Sequence, residues 1–247
     1  MTNLLWMTLP YIAFTSFVLG HIWRYRTDQF GWTTRSSQIY ESRLLRLGSP
    51  LFHFGVLGVL GGHVVGLMIP QSWTNAIGVS EHVYHLMAVG MGAPAGFAVI
   101  AGAGILLYRR IVVPEVRTAT TTNDKLMYLL LVGALLTGMV NTLTNVFAAY
   151  NYRETVSPWL RSLFTPNPAP ELMANAPLSF QVHVLIVLTL LGIWPYTRLV
   201  HMFSAPIGYL TRPYVVYRSR DPLRASGNRY AKAWVTPQAP PPRSRWV

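Results

Sequence analysis

Apolar residues arrive in long unbroken runs, separated by short polar links, with neither the two-residue alternation of half-buried strands nor the one-sided stripe of surface helices. Five runs, approximately 4 to 23, 51 to 69, 83 to 108, 126 to 149 and 178 to 199, each approach or exceed the roughly 20 residues that a helix needs to cross a hydrocarbon core of about 30 Å. The pattern predicts an all-α integral membrane bundle of five transmembrane helices. The first run has no basic residue before it and arginines after it, so it reads as a retained span rather than a cleaved signal. The third, containing GMGAPAGFAVIAGAG, is rich in the small residues that let helices approach closely. It is expected to pack inside the bundle, with a bend at Pro94. Between the fourth and fifth runs lies the longest link, Tyr150 to Pro177, where PNPAP forbids a regular helix.

Composition agrees: of 247 residues, 51% are hydrophobic and only 11% charged, with a mean hydropathy of +0.32. The formal charge of +12 belongs to the links and the C-terminal end rather than to a soluble face, which points to membrane topology and not to nucleic acid. Lysine and arginine number five from Arg24 to Arg46, none from Pro70 to His82, four from Arg109 to Lys125, two from Tyr150 to Pro177 and nine from Arg198 onward. Basic residues favour the cytoplasmic side, so this alternation predicts an N-terminus outside and a C-terminus in the cytoplasm. Residues 1–217 form the five-helix domain, and 218–247 a basic, proline-rich cytoplasmic tail able to meet anionic lipid or a soluble partner. There is no cysteine, which excludes disulfides, thiolate-bound zinc, Fe–S ligation and covalent haem attachment within this chain. The spans hold no acidic residue, and their serines and threonines are expected to bond their own helix or a neighbour.

The candidate chemistry is histidine. Of the seven, His53 and His63 lie on the second run, His183 near the start of the fifth and His201 just past its end, and an ionisable side chain in hydrocarbon is by default functional. The two helices run antiparallel, so His53 should meet His201 in an inner layer and His63 should meet His183 in an outer one. Facing imidazoles at two depths suit two bis-histidine b haems, with Gly55, Gly58, Gly61 and Gly62 giving room for a macrocycle. Hydrogen bonding within the bundle or a proton path would use the same residues. The spacing poses a problem: ten residues of helix rise about 15 Å and eighteen about 27 Å. The fifth helix must therefore be tilted, bent near Pro195, or have His201 beyond its regular part. His21 is expected at an inner helix end, and His82 and His85 near the outer interface.

SSQ at Ser36 to Gln38, LFHFGVLGVLGGHVVGLMIP, the Tyr108 to Asp124 blocks YRR and VRTATTTND, and TRLVHMFSAPIGYLTRPY from Thr197 to Tyr214 together resemble the gamma (cytochrome b) subunit of respiratory nitrate reductase. The resemblance covers about residues 5 to 217. It implies two b haems, the outer held by His63 and His183 and the inner by His53 and His201. It also implies quinol as electron donor, an Fe–S subunit on the cytoplasmic face, and a molybdenum subunit that reduces nitrate, all at the cell membrane. Some relatives have lysine near the start of the third span, where this chain has EHVYH from Glu81 to His85. The quinol site implied here is Gly62, His63, Tyr84 and His85. A haem b subunit of another quinone-linked oxidoreductase, of sulfite-reductase or heterodisulfide-reductase type, would share the membrane chemistry. A haem-free proton-relaying protein is the alternative from a different class.

Overall fold

The computed structural model describes residues 1–32, 36–148, 150–204 and 211. The expected tail, 218–247, lies outside the described residues. The five runs and all four paired histidines fall in one unit, Met1–Ala205.

Among the described residues, five helices are long and apolar enough to cross a membrane. The first is α1, Leu9–Thr27, preceded by a wider π turn at Leu4–Thr8. Next, α2, Arg43–His63, runs on into a π turn at Val64–Met68. It begins seven residues before Pro50, which sits inside the helix at the cost of one backbone hydrogen bond. After a short α3, Gln71–Ala76, comes α4, Glu81–Val112. Ser80 caps it by accepting from the Val83 N–H. Pro94, where a bend was expected, lies inside α4, which continues through it. A short α5, Pro114–Thr118, leads to α6, Thr122–Ala148.

In the link expected to be irregular, two short helices form, α7, Val156–Ser162, and α8, Pro170–Ala174. The last proline of PNPAP opens α8, where the missing N–H would have no partner anyway. These helices form a cap with its own apolar core of Trp6, Val156, Trp159, Leu163, Met173 and Ala176. Trp159 Nε1 donates to the Trp6 carbonyl at 2.7 Å, so burying the indole leaves no unpaired donor. The cap also holds the end of the second span. Ser157 Oγ donates to the Gly66 carbonyl at 2.8 Å, Arg161 to Leu67 at 2.8 Å and Arg153 to Ile69 at 3.4 Å. Carbonyls at a helix end need such partners.

The fifth span, α9, is Leu178–Ile193. It stops earlier than the apolar pattern suggested, giving way to a 3₁₀ turn at Trp194–Tyr196, an extended Thr197, and a second 3₁₀ stretch, Arg198–Ser204, that carries His201. In the bundle α2 packs on α4, α4 on α6, α6 on α9 and α9 on α1.

The α2–α4 seam is the tightest. A Cβ on Gly55 would lie 2.6 Å from the Val99 backbone nitrogen, and one on Gly48 2.9 Å from Ile105 Cγ2. Gly102 on α4 opposes the Phe52 backbone in the same way. Gly55 and Gly58 thus face the helix seam, Gly58 resting against Ala95. Gly61 and Gly62 have nothing within 4 Å of where a side chain would start.

Several basic residues of the links are structural. Arg109, 2% exposed, donates to Glu41 Oε2 at 2.6 Å, to Ser37 Oγ and the Ser37 carbonyl at 2.8 Å, and to the Glu41 carbonyl at 2.7 Å. Partial burial by itself would raise the Glu41 pKa. Hydrogen bonds from the Leu44 N–H and Arg109, with the charge of the guanidinium, outweigh it and hold the carboxyl below its ordinary value. The SSQ and YRR blocks, distant in sequence, are thereby joined.

Candidate functional site: two imidazole pairs

The four histidines meet in the two pairs expected. His53 and His201 have ring centroids 6.1 Å apart, and His63 and His183 6.2 Å. Two metal–nitrogen bonds of about 2 Å each, plus the distance from nitrogen to ring centre on either side, come to roughly the same gap. Both separations thus match what a single iron between two imidazoles requires.

The protonation pattern also fits. Nδ1 of His53 bonds the Ser49 carbonyl at 2.7 Å, Nδ1 of His63 the Val59 carbonyl at 2.8 Å, and Nδ1 of His201 the Arg198 carbonyl at 2.6 Å. A carbonyl can only accept, so Nδ1 carries the proton and Nε2 the lone pair. His183 reaches the same state differently. The Thr137 hydroxyl gives its proton to the Gly133 carbonyl at 2.7 Å and accepts from His183 Nδ1 at 3.0 Å. These outer partners fix ring orientation and tautomer, as they do around metal-bound histidines generally. Among the described residues, no three His, Asp or Glu side chains gather as a metal cluster. The donor set is therefore one of imidazole pairs, as haem uses.

The spacing problem is resolved by where α9 ends. From His183 to Ile193 is ten residues, about 15 Å of helix, the same rise as from His53 to His63. Beyond Ile193 the chain leaves the regular helix, so His201 comes level with His53 instead of about 12 Å past it.

Two residues that shape the outer pair carry no mark in the sequence. Thr137, expected like the other span threonines to bond its own helix or a neighbour, does both, and the neighbour is His183. Gly138 leaves space for that ring, since a Cβ there would come within 3.0 Å of His183 Cε1. Replacing Thr137 by valine removes the acceptor at constant shape. If the pairs hold haem, the expected result is affinity weakened by about 10–100-fold at the His63–His183 pair only, measured as haem retention during purification.

Around the His63–His183 end, Gly62 lies on an open face of α2 and His85 is half-buried on α4. Tyr84 is buried, its hydroxyl 3.1 Å from that of Tyr152 and its ring 3.8 Å beneath the Arg153 guanidinium. Arg153 in turn donates to Glu81 at 3.1 Å and to Thr74 Oγ1 at 3.0 Å. Burial, and then the hydrogen bond with Tyr84, push the Tyr152 phenol up from its ordinary pKa, so it stays protonated at neutral pH. His82 is exposed. His21 donates from Nδ1 to the Phe17 carbonyl at 2.6 Å and packs among Phe17, Trp32 and Phe203.

Comparison with known proteins agrees with the resemblance drawn from the motifs. The profile of the nitrate reductase gamma subunit family matches residues 2–220. The chain is 57% identical over 226 residues to the nitrate reductase-like protein NarX of Mycobacterium tuberculosis strain H37Rv. That match covers 90% of this chain but 35% of the relative, so the chain spans about a third of that protein's length. It is 47% identical over 220 residues to the nitrate reductase gamma chain of Bacillus subtilis, covering 89% of this chain and 99% of the relative. To the respiratory nitrate reductase 1 gamma chain of Escherichia coli it is 33% identical over 216 residues, 85% of this chain and 94% of the relative. With its five apolar helices, the protein is an integral membrane protein that belongs to the nitrate reductase gamma subunit family.

Proposed function

We propose that this chain is the dihaem cytochrome b subunit of a respiratory nitrate reductase, taking electrons from quinol at its outer end and delivering them inward. The observation that carries the reading is the stack of two imidazole pairs, each at iron-bridging separation and each with Nδ1 already engaged. His53 and His201 hold the inner group, and His63 and His183 the outer. These residues would hold b haem, which would supply one-electron chemistry there, and a pair of imidazole ligands would favour electron transfer over O₂ binding.

The N-terminus is outside and the C-terminus cytoplasmic, as the bias of lysine and arginine supports. A membrane quinol gives up two electrons and two protons. Gly62 leaves open space beside His63, and Tyr84 and His85 stand at the same end of the bundle as groups able to bond a quinol oxygen or take its proton. Tyr152 keeps its proton and steadies Tyr84 by a hydrogen bond rather than by charge. Electrons leave at the inner face to an Fe–S subunit and then to a molybdenum subunit that reduces nitrate. The lack of cysteine here leaves cluster ligation to that neighbour.

Pyridine haemochrome assay of the purified chain is expected to give two b haems per polypeptide, both reducible by added quinol. A colourless protein would overturn the reading in favour of a haem-free proton relay. Co-purification with an Fe–S subunit and a nitrate-reducing molybdenum subunit tests the partners.

A further inference from the structure

We infer that the buried Asp124–Arg198 pair is the device that positions His201, and through it sets the axial ligation of the inner haem; this rests on the dihaem reading above. His53, His63 and His183 all sit in regular helix. His201 does not, because the chain leaves helix after Ile193 and turns through Trp194–Tyr196 and Thr197 before reaching it. A ligand on such a segment needs its frame from elsewhere.

That frame comes from two other helices. Arg24 of α1 donates from one nitrogen to the Pro195 carbonyl at 2.6 Å and the Thr197 carbonyl at 2.9 Å, while Asn123 at the start of α6 donates to the Tyr196 carbonyl. These bonds hold the turn as far as Thr197. The next residue, Arg198, makes a two-pronged contact with Asp124, Nε to Oδ1 and Nη2 to Oδ2, both at 2.6 Å. Its side chain is 10% exposed and that of Asp124 6%.

Asp124 is in turn fixed in the first turn of α6. Its Oδ2 accepts from the Thr121 N–H at 2.9 Å, and its own N–H donates to Thr121 Oγ1 at 3.2 Å. A carboxylate there also faces the favourable end of the helix dipole. The last link is the Arg198 carbonyl, which accepts from His201 Nδ1 at 2.6 Å. The orientation and tautomer of His201 therefore depend on where Arg198 is held, and Arg198 is held by α6. Two motifs far apart in sequence, TTTND and TRLVH, are joined by this pair.

Fixed partners outside the ligand set commonly change metal affinity by about 10–100-fold when removed. Asp124→Asn keeps the shape but loses the charge and one acceptor, and Arg198→Lys replaces a planar fork by a point charge. Asp124→Glu retains the carboxylate and serves as the rescue variant. The measurements are haem content, a redox titration resolving both haems, and low-spin EPR signals, made on the full chain in membranes. Amide exchange over residues 197–204 supplies a readout independent of haem.

In D124N and R198K the inner haem is expected to fall in occupancy or to change potential and EPR signature, while the outer haem keeps all three. D124E is expected to recover most of the wild-type inner signal. Unchanged inner signals in both variants would overturn the inference, and so would parallel loss of both haems in D124N and R198K, which would make the pair a general structural tie. Wild-type protein without haem would overturn the functional reading alone. In that case faster exchange at 197–204 in D124N still supports the clamp, and unchanged exchange overturns it.

Discussion

Alanine at His63 or His183 is expected to halve haem content, leaving the inner haem spectrally intact, and to abolish reduction of the remaining haem by quinol. Alanine at His53 or His201 should remove the inner haem instead, keeping quinol reduction of the outer one but stopping electron delivery to a partner. The sorting into two classes follows from the geometry: each ring faces one partner at 6.1 or 6.2 Å, and the layers are about ten helical residues apart. Losing a ligand should cost well beyond the roughly 10–100-fold expected from losing an outer partner such as Thr137. Pyridine haemochrome yield and a reduced-minus-oxidised spectrum of each variant decide the matter. Equal losses in all four variants, or none, would refute the layered assignment.

Substitution at the α2–α4 seam should damage both layers together. Gly55→Ala places a methyl 2.6 Å from the Val99 backbone nitrogen, and Gly102→Ala places one against the Phe52 backbone, next to His53. Backbone cannot swing aside as a flexible side chain can, so the helices must part. Overpacking of this kind costs about 1–3 kcal/mol, here with displacement of the helix that bears two ligands. Gly104→Ala is the control: nothing lies within 4 Å of its added methyl, and alanine improves helix propensity by about 1 kcal/mol. Thermal stability and haem content are expected to fall in the seam variants and to hold in the control. A seam variant as stable as Gly104→Ala would show that the two backbones do not press on each other at these glycines.

The parts that could be read from sequence are those governed by long-range regularity. Apolar runs marked the five spans, and antiparallel order alone paired His53 with His201 and His63 with His183. Features decided by a few local contacts were less legible. The apolar run was read to 199, with the histidine spacing and Pro195 as the signs that regular helix ends sooner; which of the alternatives is realised was not legible, because the turn after Ile193 is held by Arg24 and Asn123 from other helices. Glycine content on α2 was visible, but which glycines face a neighbour depends on the crossing of α2 with α4. Gly55 and Gly58 proved to be seam residues, while Gly61 and Gly62 remained open. Thr137 looked like any threonine in a span because its second bond is to a residue 46 positions away. In the Tyr150–Pro177 link, prolines were read as breakers, and one of them starts a helix.

The two imidazole layers hang on unlike mounts. His183 rides on rigid helix, where one inserted or deleted residue anywhere between Leu178 and its own position would swing it by roughly 100° around the axis. His201 sits on a short irregular arm, so its place depends on the bonds that Arg24, Asn123 and Asp124 make to that arm. An inserted residue is therefore expected to misplace the His63–His183 pair at once, and the His53–His201 pair only as far as those bonds give way.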